Sequence, residues 1–380
     1  MDGWWFPDEI RIMSLPDKPK KIALFTSSFG TNGVSRVRIT LAREFLNMGF
    51  GVDFVVRHAM GPLKEECPPE CKIVELGVDR PRHLVIKLGQ YMHKERPDGM
   101  IVASWPNTIS ALIARLVYRR SLPLIVSEHF DFRHDPEMTP RDLWLLRHAA
   151  AHFYRTATKV VAVSAGVKES LIEVTGIEAE QISVIHNPFR PDTNTVRQSG
   201  DDEILHWWGT SRKLLSLGRL EKTKGYDILL KALAVVRESV DAKLLIMGEG
   251  RQRKELQELI ISLGLQDAVR MPGFRNEVYP FFKAADLFVL SSRNEGVANV
   301  LVESLWQGVP IVSTNCRSGP EEILAGGRYG RLCEVGSVED LAGGILESLA
   351  RRHDTVSLRQ RAADFSPNRI ASQYIAELFG

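Results

Sequence analysis

From residue 21 onward the chain alternates short, almost wholly apolar runs with longer stretches in which apolar residues recur at helical spacing. The runs at 22–26, 52–56, 73–76, 100–103, 122–126, 160–164 and 182–185 are rich in β-branched residues, as strands buried on both faces are. Amphipathic helices are predicted between them, among others at 34–48 and 107–119. The stretch 190–203 is polar and aperiodic and reads as a linker. The alternation then restarts, with strands predicted at 214–217, 243–247, 269–271, 287–290 and 311–313. Helices are predicted at 226–238, 251–263, 277–284 and 299–307. Such β–α alternation builds parallel, doubly wound sheets. The expectation is an α/β protein of two Rossmann-like domains, 21–190 and 204–364, facing each other across a cleft that binds a ligand at the strand carboxyl ends. Residues 1–20 lack periodicity and read as a flexible extension, with Trp4, Trp5 and Phe6 on it. No period of about 20–50 residues recurs, which excludes a solenoid.

Composition narrows the function without naming it. A chain of 380 residues has room for two domains. With 44% hydrophobic and 25% charged residues it is neither disordered nor fibrous. The 49 basic and 47 acidic residues leave a net charge of +2, too even for an electrostatic nucleic-acid binder, so no nucleic-acid partner is expected. Residues 1–190 carry +3 and the remainder −1. The four cysteines Cys67, Cys71, Cys316 and Cys333 are too few for a disulfide framework. The Cys67–Cys71 pair lacks a second Cys/His pair at zinc spacing, so thiols of a reducing cytoplasm are the better reading. The N-terminus has no secretory pattern, and the longest uncharged run, 99–114, is interrupted by Ser104, Pro106, Asn107 and Ser110. A membrane span wants about 20 apolar residues. A cytoplasmic protein that does not span a membrane is expected.

Candidate chemistry gathers at predicted strand ends. The loop 26–33 contains Gly30 and Gly33 and opens a helix, whose N-terminus offers free N–H groups to phosphate. Arg219 and Lys224 stand in a loop closed by Gly225, and together suit a diphosphate. Gly248 and Gly250 follow another predicted strand and suit close approach of a nucleotide. Glu295 stands in a loop and Glu303 lies inside the next helix, with Gly296, Val297 and Asn299 between them. The N–H groups of 296–299 can meet a phosphate, and carboxylates can accept hydrogen bonds from sugar hydroxyls. His129 lies just past the predicted strand 122–126. A histidine there is structural as often as functional.

Taken together these residues resemble the GT-B glycosyltransferases, and within them family 4, the retaining enzymes that use nucleotide sugars. The resemblance rests on Glu295 and Glu303 at their spacing, Gly308 and Pro310, and then Ser318, Gly319, Pro320 and Glu321. Val163 with Ser164, His186-Asn187-Pro188, Gly218-Arg219 with Lys224-Gly225, and Ser127-Glu128-His129 support it. It covers about residues 20–375. The resemblance implies that Arg219 and Lys224 bind the donor diphosphate, Glu303 holds the ribose, and Glu295 lies near the donor sugar. It implies that His129 contacts the transferring sugar or its phosphate, and that Gly33 belongs to a glycine loop. Asn32 stands where relatives usually carry the first of two glycines, a mild change because Asn tolerates left-handed backbone. The last helix, 365–378, is expected to cross back to the first domain. A UDP-sugar is the implied donor and a glycan or lipid-linked glycan the implied acceptor. Asp-x-Asp occurs nowhere, so neither metal nor cofactor is expected.

The acceptor is expected on the first domain, at Asn32, Ser104, Trp105, Asn107 and His129, with the loop 130–140 as a rim. Arg115, Arg119 and Arg120, and Arg80, Arg82, Lys87, Lys94 and Arg96, cluster on two helices. They suit either peripheral contact with an anionic membrane or the dipoles of helix ends. The competing readings are a nucleotide-sugar 2-epimerase and an inactive nucleotide-sugar-binding partner. A nicotinamide oxidoreductase lacks its glycine fingerprint.

Overall fold

The structure, a computed structural model, describes residues 19–30, 33–119, 121–133, 139–190, 200–275, 277–295 and 297–380. The expected N-terminal extension and most of the polar segment 190–203 therefore lie outside the described residues. Seven strands, β1 (Lys21–Thr26), β2 (Gly51–Val56), β3 (Lys72–Glu75), β4 (Gly99–Ala103), β5 (Leu124–Glu128), β6 (Lys159–Ala162) and β7 (Ile182–Val184), form one sheet in the order β3-β2-β1-β4-β5-β6-β7. Six more, β8 (Arg212–Leu217), β9 (Ala242–Met247), β10 (Val269–Gly273), β11 (Leu287–Leu290), β12 (Ile311–Thr314) and β13 (Arg331–Cys333), form a second in the order β10-β9-β8-β11-β12-β13.

Both sheets are parallel and share one winding. Two strands step outward from the first, and the fourth returns to its other side. β1 thus pairs with β4, Ile22 opposite Gly99, and β8 pairs with β11, Leu287 opposite Leu214. At such a switch point successive crossovers leave in opposite directions, which opens a crevice at the strand carboxyl ends.

The second sheet shows why its strands read as continuous apolar runs. Leu214, Leu244, Ile246, Val289 and Val312 pack with Leu229, Leu233 and Leu341 on one face. Their neighbours Leu215, Leu245, Met247, Phe288 and Leu290 pack with Trp208, Phe281, Leu301 and Leu305 on the other. Burial of each such side chain contributes roughly 1.5–3 kcal/mol. A polar residue on either face would lose that and leave a group unsatisfied.

The chain packs as two compact units, Met1–Ile125 with Phe379 and Val126–Leu378 with Gly380. Within the second unit the last helix, Pro367–Phe379 apart from its final residue, lies against strands of the first sheet. The hydroxyls of Tyr374 and Ser127 are 3.2 Å apart, and Ser183 Oγ donates to Glu377 Oε1 at 2.5 Å. The crossing back to the first sheet is as expected.

Two expectations needed adjustment. The polar segment read as a linker to residue 203 ends earlier, because Asp201, Asp202 and Glu203 form the acidic first turn of a helix, Asp201–Trp208. Acidic residues there favour the positive end of the helix dipole, so the polarity is a helix start. β13 was not foreseen: it has three residues, and its first, Arg331, is exposed. Among the described residues no helix is long and apolar enough to cross a membrane.

Candidate active site

The switch point of the second sheet brings two loops together. After β8 come Gly218 and exposed Arg219, then a single helical turn, Lys222–Lys224, closed by Gly225 at φ +62°. After β11 comes the segment 291–295, which leads to the helix Asn299–Gln307. Lys224 Nζ donates to Glu295 Oε1 at 2.6 Å, and Ser292 Oγ donates to the same oxygen at 2.6 Å. Glu295 is 9% exposed, so its charge is held in a partly dry site by one cation and one hydroxyl. The Lys224 ammonium has three N–H donors, of which this contact uses one. The ion pair therefore holds both groups ready without leaving either unpaired.

Glu303 lies one helical turn and more beyond, on the helix Asn299–Gln307. Burial pushes its carboxyl up to about 7, and no donor among the described residues offsets this. No side chain caps the start of that helix, although the Asn299 and Leu301 amides donate to the Val297 and Ala298 carbonyls, both at 2.9 Å. Asn299 is exposed and Val297 half-buried there, while Gly296 lies outside the described residues. Gly248 has φ +147°, and a Cβ on it would sit 1.9 Å from the Gly218 carbonyl oxygen. Packing of the Arg219 loop is thus sufficient reason for that glycine.

Within the first unit, the ends of β1 and β4 meet through neutral groups. Asn107 Nδ2 donates to Ser27 Oγ at 3.1 Å, and Asn107 N donates to the Ser104 carbonyl at 3.0 Å. Ser104 has φ +62°, and its buried hydroxyl has no partner among the described residues. Trp105 follows it through a cis peptide to Pro106. A Cβ on Gly33, the first residue of the helix Gly33–Asn47, would meet nothing within 4 Å. Asn32 lies outside the described residues. His129, in the second unit, is buried just past β5, with Nε2 and Ser127 Oγ at 3.0 Å. The expected rim loop is described as far as Arg133, which grips Asp131 at 2.9 and 2.6 Å.

The structure thus brings Lys224 and Glu295 into contact, and Ser104 and Asn107 into contact. Among the described residues no hydrogen bond or ion pair joins Arg219 or Glu303 to the first pair. The sequence assigns no role to Ser292 and does not pair Arg293 with Asp227. Both serines and arginines are common in loops, and only the strand pairing shows which loop they face.

Family models cover most of the chain. Residues 201–366 match glycosyl transferases group 1, and residues 31–193 match glycosyltransferase family 4. The chain belongs to the family 4 glycosyltransferases of the GT-B fold. This glycosyltransferase is 27% identical to an N-acetylgalactosamine-N,N'-diacetylbacillosaminyl-diphospho-undecaprenol 4-alpha-N-acetylgalactosaminyltransferase of Campylobacter jejuni, over 95% of this chain and 100% of the relative. Among solved structures it shares the fold of Anabaena HepE in complex with UDP, with TM-score 0.77 and 23% identity over 94% of this chain and 99% of that one. The lipopolysaccharide outer core galactosyltransferase WaaB, apo form, superposes with TM-score 0.76 and 21% identity over 94% and 99%.

Proposed function

We propose that this glycosyltransferase moves a sugar, with retention, from a UDP-sugar to a glycan or lipid-linked glycan in the assembly of a surface polysaccharide or lipopolysaccharide. The observation that carries the donor side is the Lys224–Glu295 pair at a switch point, 2.6 Å apart and beside an uncapped helix start. Arg219 and Lys224 take the diphosphate, and Gly248, Gly296, Val297 and Asn299 line its approach. Glu303 accepts from the ribose hydroxyls, which favours its ionised form, and Glu295 accepts from hydroxyls of the sugar. As the bond from the anomeric carbon to the phosphate oxygen breaks, the acceptor oxygen bonds to that carbon on the same face. The departing phosphate oxygen takes the acceptor's proton. The preorganised cations and helix dipole stabilise the charge growing on the diphosphate, a task that otherwise falls to a metal ion. His129 contacts the transferring sugar or its phosphate.

Residues 21–190 with 365–380, and 204–364, are proposed as the acceptor and donor domains. Asn32, Gly33, Ser104, Trp105 and Asn107 are the acceptor candidates. The relatives' names support a glycan acceptor, since one acts on a diphospho-undecaprenol-linked sugar and another builds lipopolysaccharide core. The helix Pro81–Glu95, which exposes Arg82, Ile86, Lys87 and Lys94, suits peripheral contact with an anionic membrane.

The test is a panel of nucleotide sugars scored by protection against thermal unfolding. A donor at about 100 times its Kd adds about 2.7 kcal/mol to stability and raises the midpoint by several degrees. UDP-sugars are expected to protect. Protection by none of the panel would contradict the donor assignment.

A further inference from the structure

We propose that Arg293 and Asp227 form a clamp that positions Lys224 and Glu295 for the donor, without touching the donor themselves. This rests on the reading of Lys224 as a diphosphate ligand. Arg293 stands two residues before Glu295 on one loop, and Asp227 three after Lys224, in the first turn of the helix Tyr226–Arg237 that follows the other. The guanidinium meets the carboxylate as a fork, Nη1 to Oδ1 and Nη2 to Oδ2, both at 2.7 Å. The same Nη1 donates to the Lys222 carbonyl at 2.9 Å, and the Arg293 amide donates to the Thr223 carbonyl at 2.7 Å. Ser291 Oγ donates to the Lys224 carbonyl at 2.9 Å.

Every residue of the Lys222–Lys224 turn is thus tied through its carbonyl to Ser291 or Arg293. Gly225 allows this closeness, because a Cβ there would lie 2.1 Å from the Ser291 carbonyl oxygen. Arg293 in the first place, and then the amides of Asp227 and Ile228, hold the Asp227 carboxyl below the usual carboxylate range.

The clamp matters because Lys224 has to serve two partners. Its ammonium holds Glu295 with one N–H and must reach a phosphate with another, from a fixed backbone. If the turn drifts, the cation no longer reaches both. A misplacement of about 1 Å can cost on the order of a hundredfold. The fork itself is one-third exposed on both sides, so it adds little to global stability. Its geometry is specific to arginine, since lysine makes no planar two-pronged contact.

The experiment titrates UDP and uridine into wild type, Arg293→Ala, Arg293→Lys, Asp227→Asn and the Arg293→Ala/Asp227→Asn double variant. Arg293→Ala and Asp227→Asn should each weaken UDP about tenfold, with Arg293→Lys between them and wild type. The double variant should be no worse than the worse single one, because the fork acts as a unit. Uridine has no phosphate for Lys224 and should keep its wild-type affinity. Wild-type UDP affinity in Arg293→Ala, or an equal loss for uridine, would overturn the proposal. If wild type itself fails to bind UDP, the uridine-donor reading fails, and the clamp is judged by hydrogen exchange. Arg293→Ala should then speed exchange in residues 219–226 and 291–295 together and leave β8 and β11 unchanged. Unaltered exchange in both loops overturns it.

Discussion

At the carboxyl ends of β1 and β4 the side chains that meet are Ser27 and Asn107, whereas at the ends of β8 and β11 they are Lys224 and Glu295. The two sheets are wound in the same strand order, so each has its switch point at the equivalent place, where such folds open a crevice. One is furnished with a neutral amide and hydroxyls, the other with a half-buried ion pair. The winding therefore fixes where a ligand can sit, and the residues decide which ligand. Neutral hydrogen-bonding groups discriminate among hydroxyls at small electrostatic cost. An ion pair with an uncapped helix start beside it is suited to a group carrying two or three negative charges.

The most severe way to break this comparison is to remove the charged pair. Lys224→Ala should lower transfer at least about tenfold, or 1.4 kcal/mol, in a protein that keeps its circular dichroism. Glu303→Ala should do the same if Glu303 holds the donor ribose as proposed. Wild-type turnover by either would erase the distinction between the crevices. Asn107→Ala tests the other crevice and should act more gently. A neutral hydrogen bond contributes about 0.5–1.5 kcal/mol, so transfer should fall about two- to tenfold with UDP affinity unchanged. If Asn107→Ala weakens UDP as Lys224→Ala does, the two crevices do not divide the substrates.

Glu303 sharpens the comparison through pH. Its folded pKa is raised to about 7 from an ordinary carboxylate value, so the native state holds a proton that the unfolded chain has lost between those limits. This group's contribution is therefore unfavourable above pH 7, and stability improves as pH falls towards 4.5. Glu303→Gln removes that dependence. At pH 8 its unfolding midpoint should exceed that of wild type by a few degrees, about 2–4 °C per kcal/mol, and the gap should close near pH 5. A gap equal at both pH values would contradict the burial of this carboxyl. The smallest effect belongs to metal removal. EDTA should leave the rate within about twofold if Arg219, Lys224 and the helix start supply the positive charge as proposed. Complete loss restored by Mg²⁺ would transfer that task to a metal.

Much of this arrangement was legible beforehand. Strands such as β8 and β11 are apolar on both faces, and the glycine-closed turn at Lys224 lies where a strand must end. The Glu295 and Glu303 spacing was visible as well. Ser292 and the Arg293–Asp227 fork were not, because their roles depend on two loops about 70 residues apart in sequence meeting across the β8–β11 pair. The role of Gly248 was only half legible. The sequence marks it as a place of close approach, but the atom that approaches is the Gly218 carbonyl oxygen. Asp201–Glu203 misled because a run of acids is polar whether it opens a helix or forms a linker.

The most direct test of the central claim is calorimetric titration of UDP, UMP and uridine into wild type and Lys224→Ala. Wild type should bind UDP more tightly than UMP or uridine, and Lys224→Ala should lose about tenfold for UDP and little for uridine. Equal affinities for the three ligands in wild type, or UDP affinity unchanged by Lys224→Ala, would show that the charged crevice is not where the diphosphate binds.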